Sequence, residues 1–236
     1  MARTSVDRDL SLERSMSATP ILQHVSKADV GRLAAAGRVQ RFRRGTYLCH
    51  QGDPAEHVFF LMSGRIEVSS FSPTGSRILH AAVDTPQFIG ELGPLGNLER
   101  SADLVTLEDS DVWTVQGEAF VDFVTSQPAA AREVLAALAQ QVAAHQAFAD
   151  DLLFLDLRGR VAKRLLQMGT PSLTDLPPDG TLIPPVTHAD LASLCGGSRE
   201  NVSRIVSDLQ RRGFIKRDGH RYVLKKVAAL AKMADL

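Results

Sequence analysis

Thr187-His-Ala-Asp-Leu-Ala-Ser-Leu-Cys-Gly-Gly-Ser-Arg-Glu-Asn-Val-Ser-Arg-Ile-Val-Ser-Asp-Leu-Gln-Arg211 is the stretch that decides how the C-terminal third of this chain folds. Thr187 and Asp190 have the spacing of a helix-capping box, and Ser198 is a suitable cap for a second helix. The two glycines between them, Gly196 and Gly197, permit a tight turn. The stretch therefore predicts two short helices around a turn.

The second of these helices has two chemically different faces. Its apolar face carries Val202, Ile205, Val206 and Leu209, and its opposite face carries Glu200, Arg204, Ser207 and Arg211. Arg199, in the first turn, can present a bidentate fork to a guanine edge, and Glu200 can accept from a cytosine amine. This is the way in which a helix-turn-helix enters a major groove. A helical hairpin with a merely solvated charged face remains the alternative.

The residues after this helix favour the DNA-binding interpretation. Phe214–Arg217 and His220–Leu224 are strand-prone runs separated by Asp218-Gly219, a strong hairpin signal. Two helices followed by a hairpin form a winged helix. Basic side chains suited to phosphate contact lie in this wing: Lys216, Arg217 and Arg221.

Charge is divided unequally along a chain whose net charge is zero. Residues 158–236 contain 14 Lys and Arg against 7 Asp and Glu, and residues 1–157 contain the remaining 13 and 20. A basic module attracts the phosphate backbone, whereas an acidic one is repelled by it. Only the C-terminal part, residues 158–236, is therefore expected to bind DNA.

Between Arg41 and Val124 the chain alternates short strand-like runs with turn signals, which predicts a compact β-barrel or β-roll. Within it, Gly90 would let the backbone approach a ligand, and Glu91 can accept from a ribose hydroxyl. Arg100 offers a fork-shaped cation to a phosphodiester, and Ser101 adds a hydroxyl. The alternative is a glycine bulge beside a Glu–Arg ion pair.

Ser126-Gln127-Pro128 is a good start for a long helix. An apolar seam with alternating spacings of three and four follows it: Leu135, Leu138, Val142, His145, Ala149 and Leu152. Such a heptad pattern suits a two-stranded coil, and a two-fold dimer suits two DNA half-sites. A stripe of this kind packed on the chain's own β-roll is the alternative.

Other features limit the classes of protein to consider. Cys49 and Cys195 lack metal-ligand spacing, so no metal site is expected and both are interpreted as small apolar residues in a reducing cytosol. We find neither a signal peptide nor an apolar run long enough to span a membrane, and a cytoplasmic location is expected. Residues 1–18 are expected to form a flexible tail.

The block from Gly90-Glu91-Leu92 to Arg100-Ser101-Ala102 resembles the phosphate-binding cassette of cyclic-nucleotide-binding domains. Its order before a long helix and Gly197–Arg204 is similar to that in the CRP/FNR (catabolite activator) family of bacterial transcription regulators. The resemblance implies an α+β fold: a cyclic-nucleotide-binding β-roll of the double-stranded β-helix or jelly-roll type, a long dimerisation helix, and a winged helix-turn-helix.

The implied domain boundaries follow the chain in order. They are a flexible tail at 1–18, the β-roll at 19–126, the dimerisation helix and hinge at 127–157, and the DNA-binding domain at 158–236.

The resemblance also implies roles for individual residues. Those implied for the cyclic nucleotide are Gly90, Glu91 and Leu92 for the ribose side, Arg100 and Ser101 for the cyclic phosphate, and His145 and Gln146 for the base. Those implied for DNA are Thr187, Ser198, Arg199, Glu200, Ser203, Arg204, Lys216 and Arg217.

The resulting hypothesis is a homodimeric regulator controlled by cyclic AMP or a related nucleotide, with no obligatory cofactor. It would bind palindromic double-stranded DNA with half-sites resembling GTGA, and RNA polymerase is a candidate partner. One alternative keeps the fold but uses haem, a redox or nitrosative signal, or no effector. Another is an enzyme or a nucleotide-binding regulatory subunit, but no catalytic motif is found.

Overall fold

The computed structural model describes residues 5–72, 77–170 and 172–236, with the backbone alone for residues 5–10. The chain divides into two compact units, Met1–Gln141 and Val142–Leu236. The helices of the described residues are α1 (Ser5–Ser17), α2 (Lys27–Ala36), α3 (Leu92–Gly96), α4 (Gly117–Ser126), α5 (Pro128–Phe154), α6 (Leu157–Gln167), α7 (His188–Cys195), α8 (Arg199–Arg211) and α9 (Val227–Met233). The strands are β1 (Arg38–Phe42), β2 (Tyr47–Cys49), β3 (His57–Ser63), β4 (Ile66–Phe71), β5 (Arg77–Val83), β6 (Gln87–Ile89), β7 (Asp103–Thr106), β8 (Ser110–Gln116), β9 (Ile215–Asp218) and β10 (Arg221–Leu224).

The first unit contains two four-stranded antiparallel sheets, in the orders β1-β8-β3-β6 and β2-β7-β4-β5. Strand β3 is buried on both faces, which explains its unbroken apolar run Val58–Leu61. Phe59 and Leu61 belong to a core formed by strands of both sheets. Phe60 packs in a second core with residues of the helices, which include Phe120. This two-layer arrangement is the β-roll.

The N-terminal segment differs from the expected flexible tail over residues 1–18. Residues Ser5–Ser17 form α1, and its Leu12 and Met16 side chains are buried in the helix-covered core. These two residues are four apart and so share one helix face. Thr19 closes the end of the helix, since its Oγ1 donates to the Met16 carbonyl over 2.6 Å. The tail prediction is therefore wrong for residues 5–18, and its residues 1–4 lie outside the described residues.

The long helix α5 contains both a buried and an exposed apolar set. Ala130 and Val134 are buried in the core of the first unit, and Leu138 is partly buried against it. Other residues of the seam are exposed: Leu135 is 67% exposed and Val142 is 56% exposed. Packing on the chain's own unit thus accounts for the first set and leaves most of the seam uncovered.

The second unit has one core, to which α6, α7, α8, α9 and both wing strands contribute. The β9–β10 hairpin pairs Asp218 with Arg221, so its turn residues are Gly219 and His220. Gly219 has φ +57°, a conformation that glycine adopts without a Cβ penalty. The turn therefore lies one residue later than the Asp218-Gly219 spacing predicts, because Asp218 remains paired in the ladder. In the described part of the chain, no helix is long and apolar enough to cross a membrane.

Candidate functional sites

Arg100 is the central residue of the candidate nucleotide site in the β-roll. Its side chain is buried, and its guanidinium carbon lies 5.2 Å from the centroid of the Phe59 ring. Nη1 donates to the Gly90 carbonyl over 2.7 Å, and Nη2 donates to the His57 carbonyl over 2.5 Å. Nε is buried without a hydrogen-bond partner among the residues that the structure describes. The Nε donor is thus held in place without an acceptor among the described residues.

Gly90 is required at this position for two geometric reasons. Its φ is +77°, in the left-handed region that favours glycine. A Cβ at Gly90 would also lie 2.6 Å from Nη1 of Arg100. Any larger residue would therefore displace the guanidinium from the carbonyl that positions it.

Glu91 immediately precedes the short helix α3 and is half-buried. Burial raises the pKa of its carboxyl, and the positive charge of Arg100 offsets this only in part. A hydroxyl that donates to this carboxylate would replace hydration that it has lost. Leu92 lies at the start of α3 and is half-buried, whereas Ser101 is exposed.

The alternative interpretation of this region, a Glu–Arg ion pair beside a glycine bulge, is not what the structure has. Among the ion pairs of the described residues there is none between Arg100 and Glu91. Arg100 instead bonds two backbone carbonyls, as described above. The structure thus brings Gly90 and Arg100 into direct contact. His145 and Gln146 are exposed residues of α5 in the second unit, and their role at the base stays a prediction.

In the second unit, α7 and α8 have the caps that the sequence predicts. The Thr187 hydroxyl accepts from the Asp190 N–H over 3.1 Å, and the Ser198 hydroxyl accepts from the Asn201 N–H over 3.3 Å. Gly196 ends α7 with φ +62°. Thr187 and Ser198 therefore have capping roles, and their DNA contacts stay predictions.

The polar face of α8 is exposed as predicted from its sequence pattern. Arg199, Glu200 and Arg204 are exposed, while Val202, Val206 and Leu209 are buried. Hydrogen bonds to the backbone N–H of Glu200 and to the Ser198 hydroxyl lower the pKa of the Glu200 carboxyl. At neutral pH, Glu200 is thus an acceptor, which is the state that a cytosine amine requires.

The remaining predicted DNA-contact residues differ in their surroundings. Ser203 is half-buried, and its hydroxyl bonds Nδ1 of His188 at 3.1 Å. Lys216 and Arg217 are exposed on β9, and Arg217 Nε donates to the Gly219 carbonyl over 3.0 Å.

Comparison with known proteins agrees with this geometry. Residues 39–127 match the family model of the cyclic nucleotide-binding domain, and residues 159–233 match that of the Crp-like helix-turn-helix domain. This chain belongs to the CRP/FNR family of bacterial transcription regulators. The fold class predicted from the sequence is thereby confirmed.

Individual members of the CRP/FNR family show how far the similarity extends. The CRP-like cAMP-activated global transcriptional regulator of Mycobacterium tuberculosis is 24% identical over 94% of this chain and 100% of its own length. The catabolite activator protein of Thermus thermophilus is 25% identical, covers 92% of this chain and 99% of its own, and has a TM-score of 0.55. The c-di-GMP responsive regulator CLP of Xanthomonas campestris, 24% identical, shares the fold with a TM-score of 0.66 over 85% of this chain and 99% of its own. This chain is a DNA-binding transcription regulator with a cyclic nucleotide-binding domain, as predicted.

The sequence pattern of this CRP/FNR protein does not predict the contacts of two polar residues, His188 and Asp208. His188 links three elements, because its ring bonds Ser203 of α8 and, through Nε2 at 2.9 Å, the Tyr222 hydroxyl of β10. Asp208, on α8, forms ion pairs with Arg158, Arg211 and Arg212. Only the capping signal at Thr187 points to the neighbourhood of His188, and no local pattern links Asp208 to a residue 50 positions away.

Proposed function

We propose that this protein is a homodimeric regulator that binds cyclic AMP at the Gly90–Arg100 cradle and reads palindromic DNA with α8. The observation that carries the nucleotide part is the buried Nε of Arg100, which lacks an acceptor among the described residues. A cyclic phosphate offers anionic oxygens to such a donor, and charge-assisted hydrogen bonds of this kind are short and strong. The residues present therefore fit the group.

The relatives support cyclic AMP as the first ligand to test. A cAMP-activated regulator is similar to this chain along its whole length, while a regulator with the same fold is c-di-GMP responsive. A ligand controls DNA binding only through its different affinities for the DNA-competent and incompetent states. The helix α5 provides a covalent connection for such control, since it begins in the first unit and ends in the second.

Calorimetry with cyclic AMP, cyclic GMP and cyclic di-GMP tests which nucleotide the protein binds. Selection of sites from random DNA, with and without nucleotide, tests whether α8 recognises a specific DNA sequence. We expect cyclic AMP to bind and to increase the affinity for a palindromic site with half-sites resembling GTGA. If none of the three nucleotides binds the wild-type protein, the effector proposal is wrong. The DNA-binding proposal is contradicted if the selection yields no consensus.

Arg199 is expected to read one base pair in each half-site. Arg199→Ala should cost about 1–3 kcal/mol per half-site and relax the preference at that position, because a bidentate pair is lost. Site selection followed by titration of single-base variants measures both effects. Lys216→Ala is the matched control on the wing, expected to weaken all sequences alike. Uniform weakening by Arg199→Ala would instead show that Arg199 contacts only phosphate.

His145 is proposed to contact the base of the nucleotide. A ring nitrogen of histidine can donate to or accept from the edge of a base, so removing the ring removes that hydrogen bond. We expect His145→Ala to lower the affinity for cyclic AMP in calorimetry, with Gln140→Ala, at an exposed position of α5 outside the predicted site, as the control. An unchanged affinity would contradict the role of His145.

A further inference from the structure

Arg158 is placed against the electrostatic preference of its helix. It lies in the first turn of α6, at the end where the helix dipole favours negative side chains. Asp208 is near the C-terminal end of α8, where the dipole favours cations. Arg158 Nη1 donates to Asp208 Oδ2 over 2.6 Å, which joins the two helices. Two charges that their own helices disfavour are thus stabilised by each other.

Asp208 is surrounded by three arginines, and its single negative charge cannot neutralise all three. Its neighbours are Arg158, Arg211 and Arg212, the last through Nε at 3.0 Å. Burial alone would raise the pKa of Asp208, but hydrogen bonds from Arg158 and Arg211 outweigh it and lower the pKa. The aspartate therefore stays charged at neutral pH, and the cluster retains an excess of two positive charges.

This excess charge adjoins the exposed face of α8. Arg158 lines an open depression together with six α8 residues, Ser203, Arg204, Ile205, Ser207, Asp208 and Arg211. The Arg158 side chain is 36% exposed, whereas that of Asp208 is 12% exposed. A guanidinium has five N–H donors. Nη1 bonds Asp208, and among the described residues Nε and Nη2 form no hydrogen bond, so their donors can bind a second acceptor. Arg212 bonds the same carboxylate but does not line the depression.

We propose that Arg158 contacts the DNA backbone, held by Asp208 at the edge of the α8 reading face, so that the DNA-binding surface extends to the first turn of α6. The proposal rests on the proposed function, because it assumes that α8 enters a groove. The Arg158 guanidinium can form bidentate hydrogen bonds with an anion. With α8 in the major groove, the anion beside it would be a phosphate of the flanking DNA strand. Asp208 is then a positioning residue that fixes the direction of the guanidinium without touching DNA.

Salt dependence of DNA binding by the full-length protein distinguishes this role from a structural one. Arg158→Gln in a dimer removes two phosphate contacts, so the slope of log K against log salt should fall by about 1.8. Affinity near 0.1 M salt should fall on the order of tenfold, equally for the selected site and for random DNA. Arg158→Lys should restore most of the slope. Arg212→Gln is the matched control, since it removes one charge and one Asp208 ion pair, and its slope should stay near that of the wild type.

Asp208→Asn distinguishes a positioning role of Asp208 from a simple charge effect, because the two predict opposite changes in DNA affinity. A more positive surface alone predicts tighter DNA binding, whereas loss of the group that aims Arg158 predicts weaker binding. We expect weaker binding, with helix content by circular dichroism used to verify folding. Equal slopes for Arg158→Gln and Arg212→Gln overturn the proposal, as does a loss confined to one base position. A wild-type protein that binds no DNA even at low salt overturns the proposed function itself.

Discussion

Arg100→Leu is expected to reduce the affinity for cyclic AMP by at least about 100-fold. A guanidinium has five N–H donors and two of them bond carbonyls, so the phosphate can accept from two or more of the others; each such charge-assisted hydrogen bond is worth about 1.5–3 kcal/mol. The Phe59 ring that faces the guanidinium cannot replace these donors. Calorimetry with the full-length dimer measures the loss, and nucleotide-dependent DNA binding should disappear with it.

The same substitution also removes the donors to the Gly90 and His57 carbonyls, so a folding control is needed. A fully buried carbonyl left without a donor costs about 1–3 kcal/mol, and these two half-buried carbonyls should cost less. Arg100→Lys retains the charge but lacks the fork, and we expect an intermediate affinity. Chemical denaturation of both variants separates lost binding from lost stability. Binding by folded Arg100→Leu within about threefold of wild type would show that the nucleotide is held elsewhere.

Val142→Asp is expected to convert the dimer to monomers and to remove binding to a full palindrome. Val142 is 56% exposed in the single chain, in the seam that also includes the exposed Leu135 and Leu152. Across a two-fold axis the substitution would place two carboxylates in an apolar interface, which is strongly unfavourable. Loss of the second half-site should lower DNA affinity by roughly 10²- to 10⁴-fold, the usual gain from bivalent attachment.

Gln140→Asp is the matched control for the dimer prediction. Gln140 is exposed on the same helix, and the helical wheel places it on the side opposite the seam. Both substitutions add one negative charge and the same weak helix former. Sedimentation equilibrium should show a monomer for Val142→Asp and a dimer for Gln140→Asp. A dimer in both cases would place the two-fold contact on another surface.

Local signals in the sequence were sufficient for the elements whose stability is decided locally. The caps at Thr187 and Ser198 and the turn glycine Gly196 act within four residues, so α7 and α8 could be predicted. The wing hairpin was also predictable, but its turn was displaced by one residue because the ladder extends to Asp218. The helix α1 was missed because it is mostly polar, and only the tertiary burial of Leu12 and Met16 identifies it as part of the fold.

The candidate residues of the nucleotide site could be chosen from their chemistry, but their contacts could not be predicted from the sequence. Gly90 and Arg100 could be selected from their chemistry, but the carbonyl of His57, 43 residues before Arg100, reaches the guanidinium only through sheet geometry. The pairing of Arg158 with Asp208 across 50 residues was likewise invisible in the sequence. Contacts between distant residues depend on the packing of whole elements, and periodicity describes only one element at a time.

Each unit contains one buried cysteine, Cys49 in the first and Cys195 in the second. Burial raises the pKa of both thiols, that of Cys195 to about 11. The thiolate is the form that reacts with alkylating agents, so both native thiols are chemically slow at neutral pH. The rate at which each cysteine is alkylated therefore reports how often its own unit opens. Timed alkylation read by peptide mass would compare how often the nucleotide-binding and DNA-binding units open, without any introduced label.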